Sequence, residues 1–264
     1  MKVLRVHETL GDSDTYGGID AGDAFLPHRD SRVKGPANVV PATAFWLTRA
    51  RMADVPAPTS LGSHAVVVLS GEVRVDVRDR SPAVLTAGDL VFANVASPET
   101  LTMTWDGFAW LLYLALDDWL PEAGDNEARP DPAIRQGRPS LTWIYDDGGT
   151  SRTEPLRWPS DLAPVPPVEQ WPRSLGAFVT RRDYGEDGYV PGVWHNGPRP
   201  QLGVTLNGRA ENETGDGTVT SPVAGDIAYI DDVTGAGHVT RGLGDRWMLF
   251  VTVDPEHLRF VPEK

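Results

Sequence analysis

The chain has 264 residues and a formal net charge of −13, and 40% of its residues are hydrophobic. This length suits one large domain or two of about 100–150 residues, and the composition favours a packed core over disorder. The negative charge argues against nucleic acid and anionic membranes as partners, and the absence of cysteine excludes disulfides, thiolate metal sites and cysteine nucleophiles.

The N-terminal stretch MKVLRVHETLGDSD becomes polar after six residues, so it lacks the apolar core of a signal peptide. No apolar run approaches the roughly 18 residues that a membrane-spanning helix needs. We therefore expect a cytoplasmic protein that has no membrane partner.

Short apolar runs bounded by turn residues predict strands in both halves of the chain. The runs are AVVVL, AVL, DLVFA and WLLYLAL in the first half, and LGVTL, DIAYI and WMLFVTV in the second. They are rich in β-branched and aromatic residues, and glycine should take positive φ in tight turns at LSGE and LNGR. The sequence shows no strong amphipathic helix, so it predicts an all-β fold: a sandwich, a barrel or a jelly roll.

The chain also contains an internal repeat. A shift of 137 positions aligns His64–Asp118 with Gln201–Pro255 without a gap, and 11 of the 55 aligned positions are identical. The identities fall on turn glycines and strand apolar residues, including the Ala-Gly-Asp triplet that begins at Ala87 and again at Ala224. We interpret the repeat as a duplication, and predict a first domain over 1–120, a polar linker over 121–138 and a second domain over 139–264.

The second copy resembles the cupin family in two stretches, WHNGPRPQLGVTLNG from Trp194 and GDIAYIDDVTGAGH from Gly225. In narrower terms, W-H-x-x-P-R-x-Q with D-x-T-G-x-G-H is similar to a recurrent small bacterial cupin subtype. His195 and His238 match the histidines of the two cupin motifs, and Gln201 stands in the slot of the acid. The resemblance implies two tandem double-stranded β-helix barrels, with the site in the second.

The resemblance also implies a metal-binding triad. His195, Gln201 and His238 would hold a divalent ion, which could be Fe, Mn, Ni or Zn, with coordination positions left open for substrate. Gln201 departs from the usual carboxylate and donates less strongly. The alternative is a site without metal, in which His195 and His238 act as acid and base.

Further residues near these motifs are candidates for the site. Asp231 or Asp232 could supply a further ligand. Strand alternation turns the two acids to opposite faces, so we expect at most one to face a cavity, and Asp231 is our catalytic candidate. Trp194 and Trp247 are candidate flat walls for a substrate. Arg199 and Arg241 are candidates to hold a substrate carboxylate.

The first copy lacks the histidines of the second. Gln201 aligns with His64, His238 with Leu101 and His195 with Pro58, so one barrel carries the site and the other has a structural or substrate-shaping role. We expect a metal-dependent enzyme acting on a small organic molecule, by dioxygenase-type oxidation or by redox-neutral isomerisation, lyase or cyclisation chemistry. A non-catalytic, ligand-binding bicupin is the alternative. A monomer and a homodimer are both consistent with the sequence.

Overall fold

A computed structural model describes residues 2–4, 38–40, 42–51, 63–77, 82–93, 101–116, 137–158, 165–183 and 192–256. Its contacts divide the chain into two compact units. Unit 1 comprises 1–16, 41–139 and 158–174, and unit 2 comprises 17–40, 140–157 and 175–264, so the two units interleave along the chain. The predicted linker, 121–138, lies almost wholly outside the described residues.

Unit 1 is built from short strands. They are β1 (Lys2–Leu4), β3 (Ala42–Ala50), β4 (His64–Ser70), β5 (Val73–Val77), β6 (Ala83–Leu85), β7 (Leu90–Ala93), β8 (Leu101–Thr104) and β9 (Ala109–Leu116). One sheet has the order β1-β7-β4-β9-β3 and the other has the order β6-β5-β8. Residues of the 158–174 segment, which includes a short 3-10 helix at Val168–Gln170, complete the unit.

Unit 2 has one large sheet. Its strands are β2 (Asn38–Val40), β10 (Leu141–Asp147), β11 (Thr150–Pro155), β12 (Ser174–Asp183), β13 (Gln201–Glu213), β14 (Val219–Thr220), β15 (Ile227–Asp231) and β16 (Val239–Val253). The order is β11-β10-β15-β13-β16-β12-β2, with β14 paired to β13. The described part of the chain is therefore all-β, as the sequence predicts, and none of its helices is long and apolar enough to cross a membrane.

The shift of 137 positions found in the sequence also relates the hydrogen-bonding registers. In unit 1, His64 lies opposite Ala115 on β9 and Ala93 on β7. In unit 2, Gln201 lies opposite Thr252 on β16 and Ile230 on β15. The residue numbers of equivalent partners in the two units differ by 137, as those of His64 and Gln201 do. The two units therefore share one strand-pairing pattern.

The repeated Ala-Gly-Asp triplet forms the same turn in both units. The backbone N–H of Gly88 donates to Val68, and that of Gly225 donates to Thr205. In unit 2 the Asp226 carboxylate accepts from the N–H groups of Ser140 at 2.6 Å and Val223 at 2.9 Å. The conserved acid of the repeat therefore fastens a turn rather than lining a site.

The LNGR turn predicted from the sequence is a bend instead. Gly208 has a positive φ of 86°, as expected, but it lies inside the continuous strand β13. Its pairing with β16 shifts register between Thr205 and Asn207 and again between Asn207 and Arg209. A bulge of this kind turns a long strand without ending it, because the extra residue leaves the ladder locally unpaired.

The equivalent interior faces of the two units differ in chemistry. Val66, Val68, Val91, Leu111 and Tyr113 of unit 1 belong to one buried apolar cluster. Trp105, Val165 and Trp171 join the same cluster, and the rings of Tyr113 and Trp171 lie 6.0 Å apart. In this unit, large side chains fill the face that corresponds to the cavity wall of unit 2.

The Asp226 turn gives a stability prediction. Asp226→Asn should destabilise unit 2 by about 1–3 kcal/mol, because the amide group turns an N–H donor toward one of two backbone donors and leaves it unsatisfied. Denaturant unfolding followed by tryptophan fluorescence measures the change. Asp254→Asn is the control: this side chain makes an exposed bond to the Glu256 N–H and should change stability by less than about 0.5 kcal/mol. Equal effects of the two variants would contradict the role of the turn.

Candidate functional site

Unit 2 contains a partly open cavity of about 1040 Å³. Strand alternation decides which side chains reach it, because successive residues point to opposite faces of a sheet. On β13, Gln201, Gly203 and Thr205 line the cavity, whereas Leu202 and Val204 are fully buried on the other face. His195, Gln201 and His238 all line this one cavity, so the structure brings the three predicted ligands together.

A two-residue backbone bridge joins the histidine segments. The N–H of His195 donates to the carbonyl of His238, and the N–H of His238 donates to the carbonyl of His195, both at 2.9 Å. This pair is an isolated antiparallel bridge outside the named strands. It sets the two imidazoles side by side, with ring centres 4.6 Å apart.

The bridge depends on Gly237. Its φ is 71°, and a Cβ atom at this position would lie 2.1 Å from the carbonyl oxygen of His195. A side chain would therefore collide with the backbone of the partner segment. The Gly237 carbonyl also accepts a hydrogen bond from Ser151 Oγ, which fixes the peptide just before His238.

Asn196 fastens the turn that precedes His238. Its Nδ2 lies within hydrogen-bonding distance of the carbonyls of Asp232 at 3.1 Å, Thr234 at 2.6 Å and Gly235 at 3.2 Å. The N–H of Gly197 adds a bond of 3.2 Å to Asp232. The glycine-rich turn is therefore held in one conformation by the segment that carries His195.

Hydrogen bonds orient both imidazoles through Nδ1. His195 Nδ1 lies 2.8 Å from the carbonyl of Val193, which can only accept, so Nδ1 carries the proton. His238 Nδ1 lies 2.7 Å from a carboxylate oxygen of Asp232 and donates to it. In each ring, Nε2 is then the nitrogen that bears the lone pair. Histidines that ligate metals commonly have this arrangement, in which the second nitrogen donates to a carbonyl or a carboxylate.

Asp232, rather than Asp231, serves the site. Asp232 is fully buried and forms the contact with His238, whereas Asp231 is half-buried and is not among the residues that line the cavity. Burial raises the pKa of Asp231, and the nearby charge of Asp232 raises it further. Alternation separates the two acids as expected, but the residue chosen from the sequence lies on the other face.

Four other candidates lie outside the cavity lining. Trp194 is exposed, and Trp247 is buried on the opposite face of β16 from the residues that line the cavity. Arg199 is also absent from the lining, and Arg241 forms a 2.5 Å ion pair with Glu213. The structure therefore gives these residues no contact with the space beside the histidines.

Two features of the cavity were missed in the sequence. Arg246 is only 3% exposed and lines the cavity, with a guanidinium nitrogen 3.5 Å from Thr205 Oγ1. A compact apolar group lines it as well, formed by Ile144, Phe178, Ala228, Ile230, Met248 and Phe250. Arg246, Met248 and Phe250 lie on one face of β16, and this spacing could have identified the arginine as a cavity residue. Both faces of that strand are rich in apolar residues, however, so the sequence does not show which face lines a cavity.

Comparisons of the whole chain give structural neighbours. No protein-family model matches the sequence, and none of the curated proteins does. Among solved structures, the chain is similar to a cupin 2 conserved barrel domain protein from Leptotrichia buccalis, with 10% identity, a TM-score of 0.35, and coverage of 87% of this chain and 92% of that one. A putative glyoxylate-induced protein from Pseudomonas aeruginosa also has 10% identity and a TM-score of 0.35, with coverage of 92% and 95%. A variant of oxalate decarboxylase from Bacillus subtilis has 12% identity and a TM-score of 0.27, with coverage of 85% and 68%.

The chain is similar to cupins.

The cavity offers a small set of possible metal donors. Among the described residues, no three His, Cys, Asp or Glu side chains are grouped so as to hold a metal. The third donor here is the amide of Gln201, whose Oε1 atom is buried and has no hydrogen-bond partner. The ring centres of His195 and His238 lie 4.6 Å apart, so both imidazoles could contribute to holding one ion. The residues therefore fit a divalent ion held by three neutral donors.

The bridge gives a prediction about Gly237. Gly237→Ala should destabilise unit 2 by clearly more than the roughly 1–2 kcal/mol that positive φ costs an alanine, because the new Cβ would also meet the His195 backbone. Gly217→Ala is a matched control, since Gly217 has a φ of 82° and nothing within 4 Å of its Cβ position. Thermal unfolding compares the two variants. A loss for Gly237→Ala no larger than the control would show that the bridge does not depend on this glycine.

The carboxylate behind His238 gives a spectroscopic prediction. In metal-free protein, long-range ¹H–¹⁵N spectra should show His195 and His238 as the tautomer protonated at Nδ1. Asp232→Ala should shift His238 toward a tautomer mixture, because its acceptor is removed, while His195 keeps its bond to Val193. An unchanged His238 spectrum in a folded Asp232→Ala variant would refute the orienting role of the acid.

Proposed function

We propose that unit 2 is the catalytic unit of a metal-dependent enzyme that carries out redox-neutral chemistry on a small organic molecule. The supporting observation is that two imidazoles anchored at Nδ1 and one buried, unpartnered amide oxygen line a single cavity. A cavity of about 1040 Å³ has room for a small organic substrate beside these groups.

His195, Gln201 and His238 are the residues that would hold the ion. When bound, a divalent metal supplies Lewis-acid polarisation of a substrate carbonyl or hydroxyl. All three donors are neutral, so the ligands would not neutralise the positive charge of the ion. A more positive ion is a stronger Lewis acid, and this favours isomerase or lyase chemistry over oxidation by dioxygen.

The surrounding residues of the chain have separate roles in this proposal. Asp232 keeps the His238 ring in one orientation and one tautomer. Asn196 and Gly237 hold the two histidine segments together. The apolar group around Phe178 and Phe250 excludes water from one side of the cavity, which strengthens electrostatic interactions within it.

The buried Asp232–His238 pair also supports a second candidate, catalysis without metal. A carboxylate behind an imidazole stabilises the imidazolium that forms when Nε2 takes a proton from a substrate. In that reaction His238 is the general base and His195 is a second proton carrier. The non-catalytic alternative is a small-molecule binding protein that uses the same cavity. Metal content separates the first candidate from these two.

Metal analysis of protein purified without a polyhistidine tag tests the proposal. Full-length protein incubated with Mn²⁺ and then desalted should retain metal in proportion to the chain, as measured by plasma mass spectrometry. His238→Ala should lose at least tenfold in retained metal, because one of three donors is removed, and Gln201→Ala should lose less, because its oxygen donates weakly.

His64→Gln is the control variant. His64 is the buried residue of unit 1 that aligns with Gln201, so this change removes an imidazole from the other unit and should leave the metal content unchanged. Equal metal content in wild-type and His238→Ala protein would refute the metal site. Oxygen uptake during turnover of a substrate would refute the redox-neutral class.

A further inference from the structure

A row of four paired residues crosses the cavity wall of unit 2. Ala228 lies opposite both Thr142 on β10 and Gly203 on β13, and Gly203 lies opposite Phe250 on β16. All four residues line the cavity, and we call them the small row because three of them have small side chains. The small row therefore leaves space in the interior beside the ring of Phe250.

The equivalent positions of unit 1 carry larger side chains. The shift of 137 positions aligns Gly203 with Val66 and Ala228 with Val91. Both valines are buried in the apolar cluster of unit 1. The shared strand pairing thus accepts valine at these positions, and the small side chains of unit 2 contribute to its open interior.

Gly203 lets three apolar side chains lie close to the backbone of β13. A Cβ atom at this position would lie 3.2 Å from Ile230 Cδ1, 3.3 Å from Phe250 Cε1 and 3.5 Å from Met248 Cε. Gly203 lies within a strand, where any residue can adopt the extended backbone, so space rather than conformation is the reason for glycine here. A larger side chain would push the three apolar groups into the cavity and narrow it.

The aromatic side chains beside the small row form a flat wall. The rings of Phe178 and Phe250 are stacked, with centres 5.1 Å apart and planes 24° from parallel, and both residues line the cavity. Aromatic rings prefer offset-stacked or edge-to-face contacts with other flat rings. The wall is therefore better suited to a planar apolar group than to a thicker saturated one.

A buried polar atom next to the small row indicates that the cavity receives a ligand. Gln201 lies two residues before Gly203 on the same face of β13 and is 4% exposed, and its Oε1 atom has no hydrogen-bond partner. A buried acceptor without a partner is costly unless a bound group supplies one. The small row thus lies directly beside an atom that is available to a bound group.

From this arrangement we infer that the small row is the specificity pocket of the cavity. It receives a flat apolar ring of the substrate against Phe250, and Gly203 is the residue that limits the size of this ring. The reacting group of the same molecule lies on the side of Gln201. This inference rests on the proposed function for the reacting group, and it places the flat wall at the two phenylalanines instead of at Trp194 and Trp247.

Binding of three alcohols to the full chain tests the inference. Benzyl alcohol has a flat apolar ring, cyclohexylmethanol has a saturated ring of similar size, and glycerol has no ring. A chelator in the buffer prevents the hydroxyl groups from binding through a metal. Protein labelled at methionine and isoleucine methyl groups should show nuclear Overhauser contacts from benzyl alcohol to Ile230 and Met248 at about 10 mM ligand, where a millimolar affinity is evident.

The three alcohols should differ in affinity. Benzyl alcohol should bind at least threefold more tightly than cyclohexylmethanol, because a flat ring makes closer contact with the aromatic wall. Glycerol should give no contacts with either methyl group. Equal affinities for the two ring compounds would overturn the inference, and so would the absence of contacts between benzyl alcohol and these methyl groups.

Variants then assign the selectivity to Gly203. Gly203→Ala should weaken benzyl alcohol binding at least threefold, and Gly203→Val, which introduces the residue found at position 66, should weaken it at least tenfold. Gly107→Ala is the control, because it adds the same methyl group in unit 1 at a position with nothing within 4 Å, and it should leave the affinity unchanged. Wild-type affinity in a folded Gly203→Ala variant would overturn the inference even if Gly203→Val fails to fold.

Metal retention, measured on separate samples without chelator, distinguishes the two proposals. Ring binding that depends on Gly203 in a protein that retains no metal would support this inference and refute the proposed metal-dependent function. Metal that is retained by the wild type and lost in His238→Ala, without contacts from benzyl alcohol, would refute this inference alone.

Discussion

The site depends on the two hydrogen bonds between the backbones of His195 and His238. They join the segment before β13 to the segment before β16, and they are the reason that two imidazoles 43 residues apart in the sequence lie side by side. Gly237 permits this close approach, and Asn196 closes the turn around it. The geometry of the candidate ligands is therefore set by main-chain contacts, and the hydrogen bonds at Nδ1 then set the direction of each ring.

The two units illustrate how one strand pairing can support different interiors. Positions that line the cavity in unit 2 as Gly203, Thr205 and Arg246 are Val66, Val68 and Ala109 in unit 1, where they join a buried apolar cluster. Trp171 packs into that cluster and occupies space beside Tyr113. Side-chain volume and polarity, rather than backbone register, thus separate a filled unit from a hollow one. We propose a structural role for unit 1 on this basis.

The sequence was sufficient to predict the strands, the repeat and the meeting of His195, Gln201 and His238 in one cavity, because strand runs, turn glycines and motif spacing are local patterns. It was not sufficient to choose between Asp231 and Asp232, since both faces of β15 are apolar and alternation alone does not say which one faces a cavity. Arg246 was missed for the same reason on β16. The continuous bend at Gly208 and the packing of Trp171 into unit 1 arise from long-range pairing, which no local pattern records.

The most direct test of the account is an anomalous-scattering map from crystals of the full chain grown with manganese. The account predicts one strong peak in unit 2, bounded by Nε2 of His195, Nε2 of His238 and Oε1 of Gln201. It also predicts that Asp232 remains bonded to His238 Nδ1 behind the ion. A map with no peak at these atoms under saturating manganese, or with the two imidazoles facing away from each other, would contradict it.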